Sequence, residues 1–260
     1  IKLLAVPSID AKVTPQDIER VAGDLGVMHH AQPRVVSLTQ PTELGTLYTA
    51  AELEQLCICA HEHGLLVHMD GARIANATAA LGGISSVREF TVDAGVDVLT
   101  FGGTKNGLMY GEALLYFPQG ARCPQTYKDF SLETAQRALR YAPYARKQTT
   151  QLPSKMRFVS AQFAAVLNND LWVQLGAAAN GAAASLFNAV HSIPTLELPD
   201  APAVNSLYPT ILPAHAEQLR EVSFFWDWEP ARHRVRWMTS WDTELSDVDA
   251  FAEAVYRVVT

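Results

Sequence analysis

Cysteine is scarce in this chain of 260 residues, which contains only Cys57, Cys59 and Cys123. An odd number of cysteines without regular spacing does not suit a disulfide framework, so we expect reduced thiols and a cytoplasmic location. Cys57 and Cys59 are separated by one residue, a spacing also found in metal sites. Both fall within a helical pattern, however, and Cys57 lies on its apolar stripe. The sequence therefore favours a packing role for these two thiols.

A surplus of positive charge and a long apolar run are also missing. Asp and Glu number 27 against 20 Lys and Arg, and the formal net charge of −7 argues against a nucleic-acid partner. No apolar run reaches the roughly 20 residues that a membrane span needs, and residues 1–4 do not begin a signal peptide. With 48% hydrophobic residues, the sequence predicts a globular protein with one large or two modest cores.

Strand and helix patterns alternate through the first half of the chain. Thr14-Pro15 and the capping box Thr49–Glu52 each precede an apolar helical stripe. Strands are predicted between these helices, at Ile1–Val6, Arg34–Leu38, Leu65–Asp70 and Val96–Phe101. This alternation predicts an α/β fold with a mostly parallel sheet and helices on both faces.

The second half has a different pattern. Two helices are predicted from about Met156 onward, followed by short strands and a last helix opened by Ser246-x-x-Asp249. The strands are predicted at Thr195–Leu198, Asn205–Ile211, Val222–Trp226 and Val235–Thr239. We therefore expect a large domain over residues 1–153 and a smaller α+β domain over residues 154–260.

Polar residues follow three of the predicted strands. Gln40 and Glu43 follow the second strand, Asp70 ends the third with Arg73 just beyond it, and Lys105 follows the fourth among several glycines. If these strands are parallel, their carboxyl ends open on one crevice. An acid, an arginine and a lysine would then converge there.

This combination suits pyridoxal phosphate (PLP). The cofactor needs a lysine amine for its Schiff base and a carboxylate that keeps its pyridine nitrogen protonated. The planar fork of an arginine matches the carboxylate of an amino-acid substrate. Glycines beside the lysine allow sharp turns and a close approach to the cofactor.

The motifs "HMDGARIANA" and "FGGTKNGLMYGEA" resemble those of the low-specificity threonine aldolases. These enzymes belong to the β-eliminating lyases, which have the fold type I PLP architecture. The resemblance continues through "TQPTELGTLYTAAEL", "RKQTTQLPSKMRFVSAQF" and "VRWMTSWDTELSDVDAF", so it covers nearly the whole chain.

The resemblance implies a role for several residues. Lys105 matches the Schiff-base lysine, and Asp70 matches the acid at the pyridine nitrogen. Arg73 and Arg236 match the arginines that bind the substrate carboxylate.

Three further residues are candidates for the same site. Gln40 and Thr104 are candidates for cofactor binding, although a turn role for Gln40 and for Glu43 is equally open. His68, two residues before Asp70 on the predicted strand, is a candidate catalytic residue that could instead have an ordinary core role.

The implied reaction is retro-aldol cleavage of L-threonine, L-allo-threonine or a related β-hydroxy-α-amino acid to glycine and an aldehyde. β-Elimination or transamination on the same scaffold stays open. Metal-dependent hydrolysis is a further alternative, because His61-x-His63 and His68-x-Asp70 resemble metal-ligand pairs. A cofactor-free binding subunit is the last alternative.

One departure from the family concerns the start of the chain. Family members have a preceding segment with a phosphate-binding loop, a histidine that stacks on the cofactor and a serine near the substrate carboxylate. We therefore expect this sequence to be part of a longer protein and to bind the cofactor phosphate weakly by itself.

The family also implies a homodimer or homotetramer with sites at subunit interfaces. The tryptophans near the C-terminus give this modest support, because large aromatic residues are enriched in interfaces. They are Trp226, Trp228, Trp237 and Trp241.

Overall fold

The structure is a computed structural model that describes residues 2–117, 125–198 and 200–260. Cys123 lies outside the described residues, so the prediction of a reduced thiol there stays a prediction. Cys57 and Cys59 are both buried. Within the described ranges, no helix combines the length and apolarity that crossing a bilayer requires.

Helices and strands alternate along the chain as far as the third strand. The helices are α1 (Pro15–Ala22), α2 (Ala50–Glu62), α3 (Ile74–Ala80), α4 (Gln125–Gln148), α5 (Met156–Leu167), α6 (Leu171–Val190), α7 (Pro213–Arg220) and α8 (Leu245–Val259). The strands are β1 (Val35–Thr39), β2 (Leu66–Gly71), β3 (Val98–Gly102), β4 (Glu112–Tyr116), β5 (Ser206–Leu207), β6 (Trp226–Glu229) and β7 (Arg234–Met238).

The first sheet has the order β1-β2-β3-β4. Strands β1, β2 and β3 are parallel, and β4 runs antiparallel to β3. Asp70 pairs in register with Thr39 of β1 and with Thr100 of β3. The carboxyl ends of the three parallel strands therefore meet at one edge, as the alternating pattern predicts.

Side chains of alternate residues face opposite sides of this sheet. Val67 and Met69 are fully buried on one side, against the first apolar core. Ser37 and His68 lie on the other side, where Ser37 is exposed and His68 is half-buried. This polar side of the sheet is the one that carries Asp70.

Local sequence signals explain several helix ends. Thr14 and Thr49 are the N-caps of α1 and α2, and each makes the reciprocal bonds of a capping box. Gly64 adopts a φ of 69° just after α2, where a residue with a side chain would be strained. These predicted boundaries are confirmed.

The apolar residues form two separate buried clusters. The first lies around the four-stranded sheet and includes Leu53, Val96 and Phe101. The second lies between α6, α8 and the sheet β5-β7-β6. Helix α6 takes part in both, because Trp172 packs in the first cluster and Leu186 in the second. The domain boundary near residue 153 stays a prediction.

Four predicted elements are wrong in their type or their start. Residues 195–198 form no strand and contribute one isolated bridge, from Glu197 to Thr210. Residues 2–6 form no strand and are largely exposed, and the described sheet begins at β1. Of the predicted strand at Val222–Trp226, only Trp226 pairs with β7. The last helix has Glu244 as its N-cap residue, whose backbone N–H donates to Asp247 Oδ2 at 3.1 Å, so it begins before Ser246.

Candidate active site

Lys105 lies in a tight loop between β3 and β4. A Cβ atom at Gly103 would lie 2.6 Å from the carbonyl oxygen of Gly111 and 2.7 Å from the Leu108 side chain. Gly107 and Gly111 have φ angles of 101° and 127°, which side chains disfavour. Gly103 is therefore needed because a side chain there would collide with the loop itself, and Gly107 and Gly111 are needed because of their φ angles. The sequence alone did not reveal these causes.

Asn106 fixes this loop to the segment that follows β2. Its Oδ1 accepts a hydrogen bond of 3.1 Å from the backbone N–H of Ala75, and its Nδ2 donates to the carbonyl oxygen of Ala72 at 3.2 Å. Nδ2 also donates to the carbonyl oxygen of Gly102. Asn106 is only 1% exposed. The backbone beside Lys105 is thereby held next to the backbone beside Asp70.

Asp70 ends β2 at the carboxyl edge of the sheet. Its Oδ1 accepts a hydrogen bond of 2.8 Å from the backbone N–H of Ala72, which shapes the turn into α3. Arg73 is the N-cap residue of α3, and its guanidinium donates to the Met238 sulfur over 3.7 Å. This turn places an acid and an arginine within three residues of each other at the mouth of the crevice.

Arg236 reaches the same crevice from β7. Its guanidinium lies over the Trp228 ring, 5.2 Å from the ring centre. The Arg236 Nε is buried and has no hydrogen-bond partner among the described residues. Glu43 links the two arginines, because its Oε1 lies 3.6 Å from Arg73 Nη1 and its Oε2 lies 3.1 Å from Arg236 Nη1.

One turn of α6 anchors the backbone on both sides of the crevice. Asn180 Oδ1 accepts a hydrogen bond of 2.9 Å from Asn76 Nδ2 in α3, and Asn180 Nδ2 donates one of 3.0 Å to the backbone carbonyl oxygen of Asn76. One residue earlier, the carbonyl oxygen of Ala179 accepts a hydrogen bond of 2.6 Å from Thr239, which follows β7. The elements that carry Arg73 and Arg236 are thus tied to neighbouring residues of a single helix.

The charges of the crevice act on one another. Partial burial and the neighbouring Arg73 lower the pKa of Lys105, while Glu43 and Asp70 oppose the shift. Burial and the charge of Arg236 lower the pKa of Arg73. A lower pKa leaves more of the Lys105 amine neutral at pH 7, which favours nucleophilic attack on an aldehyde.

The remaining predicted site residues lie around this group. His68 lies on the Asp70 side of β2, with Nδ1 at 2.9 Å from Ser37 Oγ and Nε2 at 2.8 Å from Thr100 Oγ1. Burial lowers the pKa of His68, which favours its neutral form. Thr104 is exposed beside Lys105.

Gln40 lies deeper than these residues. Its side chain is 0% exposed and its amide makes two hydrogen bonds to the backbone of Tyr48, at 2.9 and 3.0 Å. In this structure Gln40 therefore shapes the loop that carries Glu43.

Sequence reasoning gave Tyr208 and Glu112 no role, and it did not reveal the bridge that Glu43 makes between the two arginines. The bridge made by Glu43 joins positions 193 residues apart, so no local pattern shows it. Tyr208 donates a hydrogen bond to the carbonyl oxygen of Glu43. Glu112, whose pKa is raised by burial and by Asp70, opens β4 opposite Gly102, and its place in the motif "FGGTKNGLMYGEA" was the available signal.

The histidines of the metal-site alternative lie apart from this crevice. His61 is buried and its Nε2 lies 3.0 Å from Asp97 Oδ2, in the core behind the sheet. Over the ranges that the structure describes, no three His, Cys, Asp or Glu side chains come together as a metal-ligating group.

Comparison with known proteins identifies the family of this chain. The family model described as beta-eliminating lyase matches residues 1–210. The chain belongs to the beta-eliminating lyase family. It is 37% identical over 259 residues to a low specificity L-threonine aldolase from a Pseudomonas species (strain NCIMB 10558), covering 100% of this chain and 69% of that protein. A low specificity L-threonine aldolase from Pseudomonas aeruginosa is 36% identical, with 99% and 69% covered.

Solved structures of other family members and of PLP enzymes share this fold. A threonine aldolase from Leishmania major superposes with a TM-score of 0.83 at 29% identity, over 100% of this chain and 71% of that one. An aspartate aminotransferase from Thermus thermophilus superposes with a TM-score of 0.57 at 16% identity, over 95% and 66%. The predicted family and the fold type I architecture are confirmed.

The residues of the crevice fit PLP. Lys105 offers an amine for covalent attachment, and Asp70 retains Oδ2 for the ring nitrogen, since Oδ1 is engaged by Ala72. The unsatisfied Nε of Arg236 is a buried donor at the place expected for a substrate carboxylate. Thr104, next to Lys105 in the chain, carries an exposed hydroxyl group.

Proposed function

We propose that this chain is a PLP-dependent aldehyde-lyase that cleaves L-threonine, L-allo-threonine and related β-hydroxy-α-amino acids to glycine and an aldehyde. The observation that carries the proposal is the convergence of Lys105, Asp70, Arg73 and Arg236 on one crevice at the carboxyl edge of the sheet. Membership of the beta-eliminating lyase family, with two threonine aldolases among the relatives, supports the same reaction.

Each of these residues has a distinct task. When bound, PLP supplies the electron sink that accepts the electron pair of the breaking Cα–Cβ bond. Lys105 attaches the cofactor through its amine, and Asp70 keeps a proton on the ring nitrogen through its negative charge. Arg73 and Arg236 bind the substrate carboxylate in a bidentate manner and so orient the Cα–Cβ bond.

His68 is assigned a place beside the cofactor, next to Asp70. The hydroxyl groups of Ser37 and Thr100 lie at both of its ring nitrogens and hold the ring in one orientation. A neutral, fixed imidazole at this position would shield Asp70 from water and so strengthen its interaction with the ring nitrogen.

The partners and the compartment are proposed from the composition of the chain. The substrate is a small amino acid, and the acidic net charge of −7 supports the proposal that neither nucleic acid nor a membrane is a partner. A homodimer or homotetramer in the cytoplasm is proposed, and the three cysteines without regular spacing support a reducing compartment.

Product analysis tests the proposed reaction. The full-length protein is incubated with PLP and a panel containing threonine, allo-threonine, phenylserine and serine, and the products are separated by chromatography. Glycine and the matching aldehyde are expected. Pyruvate from serine would instead show β-elimination, hydroxypyruvate from serine would show transamination, and loss of activity with a chelator would favour metal-dependent hydrolysis.

A further inference from the structure

Glu43 occupies the space between the two arginines that face the substrate carboxylate. Its two oxygens face one guanidinium each, at 3.6 Å from Arg73 and 3.1 Å from Arg236. This is the arrangement that a bidentate carboxylate ligand would adopt at the same pair. The Glu43 side chain is 50% exposed, whereas those of Arg73 and Arg236 are 12% and 14% exposed.

We propose that Glu43 is an internal competitor for the substrate carboxylate and a specificity-determining residue of this site. The proposal rests on the function proposed above, because it takes the arginine pair as the carboxylate site. In the absence of substrate, Glu43 supplies the anion between Arg73 and Arg236. An arriving amino acid replaces it, and the Glu43 side chain moves into the solvent.

The electrostatics of the pair explain why an anion is needed in both states. Burial lowers the pKa of Arg73 and so disfavours its charged form, and the charge of Arg236 adds to this effect. Two adjacent guanidinium groups with little exposure are destabilised unless an anion lies between them. Glu43 meets this need when the site has no ligand. Its replacement by another carboxylate leaves the local charge unchanged, so only monoanions of matching shape compete well.

The backbone of Glu43 is fixed, so the exchange involves its side chain alone. Tyr208 donates a hydrogen bond to its carbonyl oxygen. Nearby, Gly45 adopts a φ of 74°, and a Cβ there would lie 2.8 Å from Ser206 Oγ. The loop is thereby packed against the C-terminal half of the molecule. Because the Glu43 carboxylate is half exposed, water can solvate it again after displacement.

Isothermal calorimetry with glycine measures this competition in the full-length, PLP-loaded protein. Glu43→Gln removes the competing charge, so glycine is expected to bind about two- to fivefold more tightly, the change that corresponds to an exposed ion pair. Glycinamide lacks the carboxylate and is expected to bind both proteins equally. The thermal unfolding midpoint of each variant shows that it is folded.

Glu229→Gln is the matched control. Glu229 also bridges two arginines, with Oε1 at 3.1 Å from Arg234 and Oε2 at 3.3 Å from Arg232, and neither belongs to the Arg73–Arg236 pair. This variant is expected to leave glycine affinity unchanged.

Two outcomes would overturn the proposal. If Glu43→Gln binds glycine with equal or lower affinity, Glu43 holds the arginines in place rather than competing for them. If glycinamide gains affinity as much as glycine does, the effect does not come from the carboxylate. Failure of the proposed function shows separately, as absence of PLP-dependent glycine formation, because calorimetry detects glycine at the arginine pair without turnover.

Discussion

Lys105 is the residue on which attachment of the cofactor depends. Lys105→Ala is expected to abolish both turnover and the cofactor absorbance that borohydride reduces, because no other amine is held at the loop between β3 and β4. The exposed Lys2→Ala is the control and is expected to keep both. Retention of covalently bound PLP by Lys105→Ala would refute this assignment.

The pH dependence of PLP capture follows from the same residue. The amine attacks only when neutral, and burial together with Arg73 lowers the pKa of Lys105. Capture is therefore expected to reach half of its maximum rate at a lower pH than capture by a free lysine analogue. Stopped-flow absorbance across the pH range measures both midpoints, and equal midpoints would contradict the electrostatic argument.

Replacing Asp70 with asparagine tests whether this residue acts through its negative charge or through its shape. In Asp70→Asn, Oδ1 still accepts the Ala72 N–H, so the turn into α3 is retained. The negative charge at the ring nitrogen is lost, and kcat is expected to fall by at least about a hundredfold, corresponding to roughly 3 kcal/mol. Steady-state kinetics and the PLP content measure the two effects. Near-normal kcat with full PLP content would show that the charge is not needed.

At the scale of the element, the contact between α3 and α6 determines where Arg73 lies. A Cβ at Gly176 would lie 2.8 Å from the backbone nitrogen of Asn76, whereas Gly181, in the same helix, has no atom within 4 Å of its Cβ position. Gly176→Ala is therefore expected to destabilise the fold by about 1–3 kcal/mol. It also displaces α3, so the KM for threonine is expected to rise.

Gly181→Ala is the matched control for this contact. It gains helix propensity without a clash and is expected to stabilise the protein by about 0.5–1 kcal/mol. Chemical denaturation of both variants measures the difference. Equal stability of the two would show that α3 and α6 have room to separate.

The sequence predicts the elements around the crevice better than the contacts across it. Asp70 and Lys105 are found from the sequence because Asp70 lies near the carboxyl end of one strand and Lys105 follows the next. The carboxyl ends of parallel strands meet at one edge of the sheet. Arg236 comes only from resemblance to the family, since its position depends on how the small sheet folds back. The ion pairs of Glu43 with the two arginines and the hydrogen bonds of Asn106 to Ala72 and Ala75 join residues that are distant in sequence. Only the folded chain brings these residues together.

At the scale of the whole molecule, the tryptophans separate into two groups. Trp237 is 2% exposed and packs against Phe225 and Phe251 in the second cluster, so it cannot support an interface. Trp226 is 71% exposed and stacks edge-on with the exposed Phe224, at 4.8 Å between ring centres. Part of the aromatic content near the C-terminus is therefore available for association.

Light scattering tests the predicted assembly. The full-length protein is expected to have the mass of two or four chains, because sites shared between subunits need an interface larger than about 1,000 Å². Dilution is expected to reduce mass and activity together. A monomer with full aldolase activity would show that each site is complete within one chain.

The attachment of both crevice walls to one turn of α6 has a consequence for timescales. A domain hinge opens in roughly microseconds to milliseconds, whereas an exposed side chain rotates in roughly picoseconds to nanoseconds. Separating Arg73 from Arg236 would break the Asn76–Asn180 and Thr239–Ala179 hydrogen bonds, but rotating Glu43 breaks neither. If this arginine pair binds the substrate carboxylate, as proposed, displacement of Glu43 needs only a side-chain rotation, and we expect no domain gate on amino-acid capture.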